Sequence, residues 1–218
     1  MGNAVGSLEL PQILRARKNL TLALTGKQRE ILIGCILGDA HIQPKGKICI
    51  EQSTHQQEYV SWKYHELKNL SYPALPREIF RKDARNGKEY HSMYFYLRQY
   101  FRSWREIFYQ GNMKIFPDNL ILTPLSLAVW YMDDGCLSKG KSTISIEGFD
   151  EENRNKVQKT FLEQFHIETV IGKSKKLVIK KKSQDAFYQL ISPHVIPSME
   201  YKIPSKPRND FSRLGGKE

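Results

Sequence analysis

The fold of this chain is decided by two short stretches that are variants of each other, LIGCILGDA at residues 32–40 and LAVWYMDDG at residues 127–135. Each is an apolar run that ends with an acid and a small residue. A carboxylate at the end of an apolar helix is costly unless that end of the helix needs negative charge. One copy alone would be typical of a core helix that stops at a solvated aspartate. Two copies indicate a shared role for Asp39 and Asp134.

The sequence that follows each stretch is also repeated. A Lys-Gly-Lys turn and an Ile-x-Ile-Glu run occur at residues 45–51 and again, with two residues inserted, at residues 139–147. Late in each half, a lysine followed by isoleucine recurs as Lys114 and Lys202. The chain is therefore an internal duplication, which has to be recognised before single elements are assigned.

The repeated stretches resemble the LAGLIDADG motif, in the two-motif, single-chain, intron-encoded subgroup of that homing endonuclease family. The resemblance covers residues 25–204 and extends to the phrases TPLSLA (123–128), MDDG (132–135) and MEYKIP (199–204). It implies an α+β fold of two pseudo-symmetric αββαββα halves. In this fold the halves pack through the pair of motif helices and form an antiparallel β-saddle that binds DNA.

The duplication also divides the chain. The expected parts are an N-terminal lead-in (1–24), a first LAGLIDADG half (25–117), a second LAGLIDADG half (118–204) and a flexible tail (205–218), which is polar and contains Pro and Gly.

Capping signals predict where the motif helices begin. Thr25 with Gln28 forms a capping box, so the first motif helix should begin at Gly26. Thr123 caps the second helix, with Pro124 at the first helical position, where its missing N–H costs nothing.

The packing of the two motif helices is predicted from the spacing of small residues. Gly34 and Gly38 fall on one face of the first helix and let a second backbone approach closely. That backbone should be the other motif helix, although Val129 and Asp133 occupy the equivalent positions there and are bulkier.

Three weaker local signals lead to further predictions. Residues 8–24 are expected to form a short helix that lies against the first half. Thr54 with Gln57 should cap a helix whose inward side includes Tyr59. Asp150 should open a helix in the second half. The inward residues of that helix are expected to be Val157, Phe161, Leu162 and Phe165.

Composition limits the function classes. Of 218 residues, 34 are Lys or Arg against 23 Asp or Glu, and the net charge of +11 favours a polyanionic partner. Three widely spaced cysteines suggest neither a zinc site nor a disulfide framework. No apolar run is long enough to cross a membrane. We therefore expect an intracellular protein, in a bacterial cytoplasm or in a mitochondrion or chloroplast, and not a secreted one.

The motif carboxylates predict metal-dependent phosphodiester chemistry. If the motif helices pack in parallel, Asp39 and Asp134 meet at their ends, where two carboxylates repel unless a cation lies between them. Hard oxygen ligands suit Mg²⁺, for which Mn²⁺ is expected to substitute. The resemblance implies the same metal role for these two residues. Lys114 and Lys202 are expected to act on the phosphate or the attacking water, and Gln52 is a weaker candidate for the water pocket.

The hairpins are expected to carry DNA recognition, because basic two-stranded ribbons fit the major groove of duplex DNA. The alternative is that these residues form solvated edge strands protected by charge. The candidate DNA-binding residues are Lys45, Lys47, Arg77, Arg81, Lys82, Arg85, Lys88 and Arg98 in the first half, and Lys139, Lys141, Lys173, Lys175, Lys176, Lys180 and Lys182 in the second.

Two functions remain open at this point. The first is a monomeric, Mg²⁺-dependent, site-specific endonuclease that cuts one phosphodiester per strand at a long asymmetric duplex target, as in intron homing. The second is an intron RNA maturase, or another nucleic-acid-binding protein on the same scaffold, that does not cut. Both carboxylates are present, which favours the first function.

Overall fold

The computed structural model describes residues 8–15, 21–85 and 87–204. The predicted tail (205–218) and Asn86, in the turn of a predicted hairpin, lie outside the described residues. The α-helices are α1 (Gly26–Leu37), α2 (Gln57–Glu66), α3 (Arg102–Phe108), α4 (Pro124–Asp134), α5 (Glu151–Phe165) and α6 (Gln184–Ile191). The strands are β1 (Ile13–Arg15), β2 (Thr21–Ala23), β3 (His41–Ile42), β4 (Ile48–Ser53), β5 (Arg77–Lys82), β6 (Glu89–Leu97), β7 (Tyr109–Gln110), β8 (Met113–Lys114), β9 (Gly135–Ser138), β10 (Lys141–Ile144), β11 (Thr169–Ile171) and β12 (Leu177–Ile179).

The two halves have the same order of elements, so the predicted α+β architecture is confirmed. The first half runs α1-β3-β4-α2-β5-β6-α3, and the second runs α4-β9-β10-α5-β11-β12-α6. Each half builds one four-stranded antiparallel sheet, with strand order β3-β4-β6-β5 in the first and β9-β10-β12-β11 in the second. The equal strand order means that the sheets are related by an internal pseudo-symmetry.

The motif helices α1 and α4 form the centre of the core. Both begin with the predicted caps, since Thr25 and Thr123 each accept a hydrogen bond from the backbone N–H three residues later. From Ile31 to Leu37 and from Leu127 to Asp133, every residue is buried. Helices that are apolar on all sides in this way belong in the interior of a protein.

The two motif helices pack closely because each small residue faces a larger one. A Cβ atom added to Gly34 would lie 2.6 Å from the Cβ of Val129, and one added to Gly38 would lie 2.5 Å from the Cβ of Asp133. Val129 and Asp133 are the equivalent residues of the second motif. Gly34 and Gly38 therefore make room for the bulkier side chains of α4. The two helices pack closely even though the two motifs differ in sequence at these positions.

The sheets have one buried face and one open face. On β4, Ile48, Ile50 and Gln52 are buried, whereas the alternating residues Cys49 and Glu51 point away from the core. The pairing with β6 places Tyr94 opposite Glu51 and Tyr96 opposite Cys49 on the open face. We call the open faces of the two four-stranded sheets the saddle face. Its reference residues are Glu51, Tyr94 and Tyr96 in the first half and Thr143 and Val178 in the second.

The helix predicted over residues 8–24 is wrong for the residues that the structure describes. Strands β1 and β2 pair antiparallel there, and Leu14 lies opposite Leu22. Alternate burial along both strands shows that the apolar residues follow the period of a strand. The segment packs on the first half, where the indole N–H of Trp104 donates to the carbonyl of Pro11 (3.3 Å).

Two other local predictions are also wrong. Leu162, expected to face inward from α5, is 51% exposed, because the buried side of the helix contains Asn153, Val157 and Phe161. Helix α2 begins at Gln57 after a 3₁₀ turn that Ser53 caps, so the capping box predicted from Thr54 does not form.

No helix in the described parts of the chain combines the length and apolar character that crossing a membrane requires.

Candidate active site and nucleic-acid interface

The two motif aspartates lie at the C-terminal ends of the paired helices. Asp39 follows Gly38, which ends α1, and its side chain reaches solvent. Asp134 is the last residue of α4 and is half-buried. It lines a cleft with Gly38 and Lys114 from the first half. The structure therefore brings the first half and Asp134 together at one open site.

Both motif carboxylates hold protons more tightly than a free aspartate does. Desolvation by the surrounding protein raises the pKa of Asp39, and the nearby carboxylate of Asp133 raises it further. Burial, followed by the charges of Asp39 and Asp133, raises the pKa of Asp134 to about 7. Like-charged neighbours that disfavour ionisation in this way are relieved by a bound cation.

The two late lysines occupy equivalent places at the ends of the motif helices. Lys114 Nζ donates to the carbonyls of Gly38 (2.7 Å) and Ala40 (3.3 Å). Lys202 Nζ donates to the carbonyls of Met132 and Asp133, the latter at 3.0 Å. Burial lowers the pKa of both lysines, while the neighbouring aspartates counteract it. Lys202 thus binds carbonyls in the last turn of α4, which have no intrahelical partner, and Lys114 binds carbonyls just beyond the end of α1.

Gln52 lies between the carboxylates of the two halves. Its amide Nε2 donates to Asp39 Oδ2 at 2.9 Å and to Asp133 Oδ1 at 3.0 Å. The residue is buried on the inner face of β4, directly below the open end of the site. Among the predicted site residues, Asp39, Asp134, Lys114, Lys202 and Gln52 are therefore gathered in one region.

A buried ion pair beside the site was not predicted from the sequence. Lys63 Nζ lies 2.6 Å from Asp133 Oδ1, and neither side chain has any solvent exposure. Lys63 Nζ also lies 4.1 Å from the ring centroid of Tyr59. A signal was present, because Lys63 is four residues from Tyr59 and three from Val60, on the inward face of α2. A lysine at such a position indicates a buried anionic partner.

The second half contains no equivalent of Gln52. Ile48 pairs with Ile42, three residues after Asp39, and Ser142 pairs with Leu137, three residues after Asp134. By this register Ile48 corresponds to Ser142, not to Ile144 as the sequence repeat suggested. The residue equivalent to Gln52 is then Ile146, which is buried and apolar.

The oxygen donors suit a hard divalent cation that keeps most of its water. Asp39 and Asp134 supply carboxylates with raised pKa values, and a cation bound between them would lower those pKa values. The carbonyls of Gly38 and Asp133 are already bound by lysines. In the described part of the chain, no three His, Cys, Asp or Glu residues form a preformed metal cluster. A partly hydrated ion on two carboxylates is the arrangement that Mg²⁺ prefers.

The predicted DNA-binding residues occupy three kinds of position. Side-chain alternation puts six on the saddle face, of which Arg77, Arg81 and Lys141 lie on strands and Lys47, Lys176 and Lys180 directly flank strands. Six lie in or beside the hairpin turns: Lys45, Arg85, Lys88, Lys139, Lys173 and Lys175. Three lie elsewhere: Lys82 on the opposite face of β5, Arg98 after β6, and Lys182 in a 3₁₀ turn.

Several of these basic side chains are held in place within the protein. On the first sheet, Arg81 pairs with Glu51, and Lys47 Nζ lies 3.7 Å from the ring centroid of Tyr96. On the second sheet, Lys180 and Lys182 both pair with Glu168. The saddle face therefore presents ordered cations alongside aromatic rings. Arg98 donates to a backbone carbonyl, that of Ser71.

Comparison with known proteins identifies relatives along nearly the whole chain. A model of the LAGLIDADG DNA endonuclease family matches residues 29–187. The DNA endonuclease I-ChuI of Chlamydomonas applanata is 25% identical over 210 residues, which cover 84% of this chain and 96% of that protein. The cytochrome b mRNA maturase bI2 of Saccharomyces cerevisiae is 28% identical over 208 residues, which cover 79% of this chain but only 46% of the maturase.

Structural comparison agrees with the sequence relatives. The homing endonuclease I-WcaI, solved bound to its DNA recognition sequence, superposes with a TM-score of 0.75 at 24% identity, over 85% of this chain and 89% of that one. At this identity the likeness establishes the fold. The family model spans well over half of the chain and includes both motif aspartates. The chain therefore belongs to the LAGLIDADG DNA endonuclease family.

Proposed function

We propose that this protein is a site-specific double-strand DNA endonuclease of the intron-homing kind. It would hydrolyse one phosphodiester in each strand of a long, asymmetric duplex. The observation that carries the proposal is the pair Asp39 and Asp134 at the ends of two close-packed helices, where desolvation and neighbouring carboxylates raise both pKa values. Such a pair is suited to divalent cations beside a scissile phosphate.

Asp39 and Asp134 are the residues that would hold Mg²⁺, and Mn²⁺ would substitute because it also takes oxygen ligands. When bound, the ion offsets phosphate charge and lowers the pKa of a water nucleophile. Desolvation and the neighbouring carboxylates raise both pKa values, and a bound cation would favour the ionised form of each carboxylate. Each half would serve one strand of the duplex.

The lysines and Gln52 would orient the reacting groups. Lys114 and Lys202 each use two donors on backbone carbonyls, which leaves a third hydrogen for a phosphate oxygen or for water. A fixed ammonium near the phosphate stabilises charge that develops there. Gln52 uses both Nε2 hydrogens on carboxylates, so its Oε1 is left to accept from a water molecule.

The saddle face would bind the duplex. With a net charge of +11, long-range attraction favours DNA, and the cations of the strands and turns would meet phosphates. Arg77 has the bidentate geometry that reads guanine, whereas Arg81 donates from both terminal nitrogens to Glu51. Because the two sheets carry different residues at equivalent positions, the target should be asymmetric rather than palindromic.

A second candidate function is that of an intron RNA maturase, which would bind intron RNA with or without cutting DNA. The 28% identity to an mRNA maturase supports it. The presence of both motif carboxylates in an open site weighs toward cleavage. Free Cys35, Cys49 and Cys136 support a reducing compartment for either function, a bacterial cytoplasm or an organelle.

The test is incubation of the purified protein with large genomic DNAs in Mg²⁺, in Mn²⁺ and in chelator, with resolution of the long fragments. We expect a few discrete, metal-dependent cuts, whose ends give the target by sequencing. Asp39→Asn and Asp134→Asn should abolish double-strand cutting and retain metal-independent DNA affinity. Asp118→Asn, at an exposed aspartate that pairs with Lys156, is the matched control and should cut normally.

Two results would count against the endonuclease. Equal cutting by the wild type and both site variants would remove Asp39 and Asp134 from the reaction. Absence of cuts in diverse genomes, together with tight binding of structured intron RNA by the same preparation, would favour the maturase.

A further inference from the structure

The carboxylate of Asp133 connects the second motif helix to three elements of the first half. Its Oδ1 accepts from Lys63 Nζ on α2 (2.6 Å) and from Gln52 Nε2 on β4 (3.0 Å). Its Oδ2 accepts from the backbone N–H of Asp39 at the end of α1 (3.2 Å). The side chain is completely buried. Asp133 is therefore a buried residue through which the second motif helix is hydrogen-bonded to the first half.

All the groups that meet Asp133 are hydrogen-bond donors. An ammonium, a side-chain amide and a backbone N–H converge on two oxygen atoms, and only an ionised carboxylate accepts from all of them. An asparagine would turn its own NH₂ group toward at least one of these donors. The chemistry at this position is therefore specific to an aspartate, whereas packing against Gly38 alone would accept several residues of similar size.

Packing stability does not explain this arrangement well. A buried ion pair pays a large desolvation cost, and apolar residues of similar volume often serve stability equally well or better. The pair of Lys63 and Asp133 is accordingly better explained by what it orients. Asp133 accepts one hydrogen of the Gln52 amide, and the other hydrogen is donated to Asp39 Oδ2 (2.9 Å). Asp133 thus supports Asp39 in two ways. It accepts directly from the backbone N–H of Asp39, and it orients Gln52, which donates to the Asp39 carboxylate.

The second half lacks this arrangement. Gly38 occupies the position in α1 that corresponds to Asp133, and it has no side chain to reach across the helix pair. The sheet register places Ile146 where the first half has Gln52. Asp134 therefore receives neither of the two supports that hold Asp39.

We propose that Lys63 and Asp133 are positioning residues that act through Gln52 and Asp39 on only one of the two cutting centres. The ammonium of Lys63 donates to Asp133 Oδ1 in the interior and holds that carboxylate in place. Asp133 in turn fixes the Gln52 amide and the end of α1. This inference rests on the proposed function for its effect on cleavage, but the hydrogen-bond network itself can be tested without DNA.

The first arm of the test uses DNA-free protein and NMR. The double variant Lys63→Met/Asp133→Asn contains no unpaired buried charge, which protects it against unfolding. Lys27→Met, at an exposed lysine that pairs with Glu66, is the matched control. We expect the Gln52 side-chain NH₂ and Asp39 amide resonances to shift in the double variant and to stay unchanged in the control. A folded double variant with both resonances unchanged would overturn the proposal.

The second arm uses the duplex recovered by genomic cutting, with each strand labelled separately. In Asp133→Asn and in the double variant, one strand should be cut roughly 10- to 100-fold more slowly, as is usual when support of a metal ligand is lost. The other strand should be cut at nearly the wild-type rate, so a nick in one particular strand accumulates. DNA affinity in chelator should not change.

The two arms separate failure of this inference from failure of the proposed function. Equal slowing of both strands would show a general structural effect and overturn the positioning role. If wild-type protein cuts no DNA at all, the endonuclease proposal fails, and the NMR arm alone decides whether Asp133 holds Gln52 and Asp39.

Discussion

At the scale of residues, the two motif aspartates are equivalent in sequence and different in their surroundings. Asp39 is bound by Gln52 and lies beside Asp133, which also accepts from its backbone N–H. Asp134 is more deeply set in a cleft with Lys114, and its pKa is raised to about 7. A carboxylate held in a site where ionisation is disfavoured costs stability and supports function.

This difference predicts how stability depends on pH. Folding raises the pKa of Asp134 from 3.8 to about 7, so the folded state binds more protons than the unfolded state between these values. The contribution of this group to stability is therefore lost as pH rises from about 4 to 7. In chelator, Asp134→Asn should melt several degrees higher than wild type at pH 8, and the gain should shrink toward pH 5.

Calorimetry at several pH values from 5 to 8 measures the melting temperatures of the wild type and of Asp134→Asn. Asp118→Asn, an exposed control, should show a small difference that does not vary in this way. A melting difference for Asp134→Asn that is constant from pH 5 to pH 8 would contradict the raised pKa.

At the scale of elements, the motif helices depend on glycine at two contacts. A Cβ on Gly34 would lie 2.5 Å from the carbonyl oxygen of Ser126 and 2.6 Å from the Cβ of Val129. Both obstacles are rigid, because one is backbone and the other is the branching carbon of a β-branched side chain. The helices would have to move apart, and the aspartates at their ends would move with them.

We therefore expect Gly34→Ala to destabilise the protein by about 1–3 kcal/mol, the usual cost of overpacking. Gly26, in the first turn of the same helix, has no atom within 4 Å of an added Cβ, so Gly26→Ala is the matched control. It should be neutral or slightly stabilising, since alanine favours helix. Urea unfolding of the two variants measures the difference, and equal stabilities would argue against close packing of α1 and α4.

The β5–β6 ribbon gives a second prediction at this scale. Arg77 and Lys82 lie on the same strand, but side-chain alternation puts Arg77 on the saddle face and Lys82 on the opposite face. Changing either residue to alanine removes one positive charge. Arg77→Ala should therefore weaken binding to the target duplex and reduce the salt dependence by about one counterion, whereas Lys82→Ala should have little effect on either.

Fluorescence anisotropy in chelator at several salt concentrations provides these slopes. If Lys82→Ala changes the slope as much as Arg77→Ala does, the duplex contacts both faces of the ribbon and the saddle is not the binding surface.

At the scale of the whole molecule, one chain contains both motif aspartates. The two sheets have the same strand order, and the motif helices cross at equivalent residues. A single 25.4 kDa chain should therefore be sufficient for both strands. Light scattering is expected to give this mass for the free protein, with one chain per duplex in the complex. Two chains on one duplex would contradict a monomeric enzyme.

Local signals predicted much of the fold because their physical cause is local. The capping box at Thr25 and the cap at Thr123 formed as expected, since a side chain satisfies a backbone N–H three residues away. The repeated motifs gave the αββαββα order for the same reason. The helix predicted in the lead-in is wrong because Leu14 and Leu22 lie opposite each other in paired strands, and a strand register is not a local signal.

The sequence by itself determined the duplication, the two motif helices and the place of Asp39 and Asp134 at their ends, because these follow from periodicity and repetition along the chain. Only the tertiary structure decided that Lys63 meets Asp133 and that Ile146 stands in the place of Gln52. The first depends on a contact between residues 70 positions apart in the sequence. The second depends on a hairpin register that a two-residue shift leaves on the same face. The sequence thus shows that the two halves are similar, whereas the chemical difference between their sites becomes visible only in the folded structure.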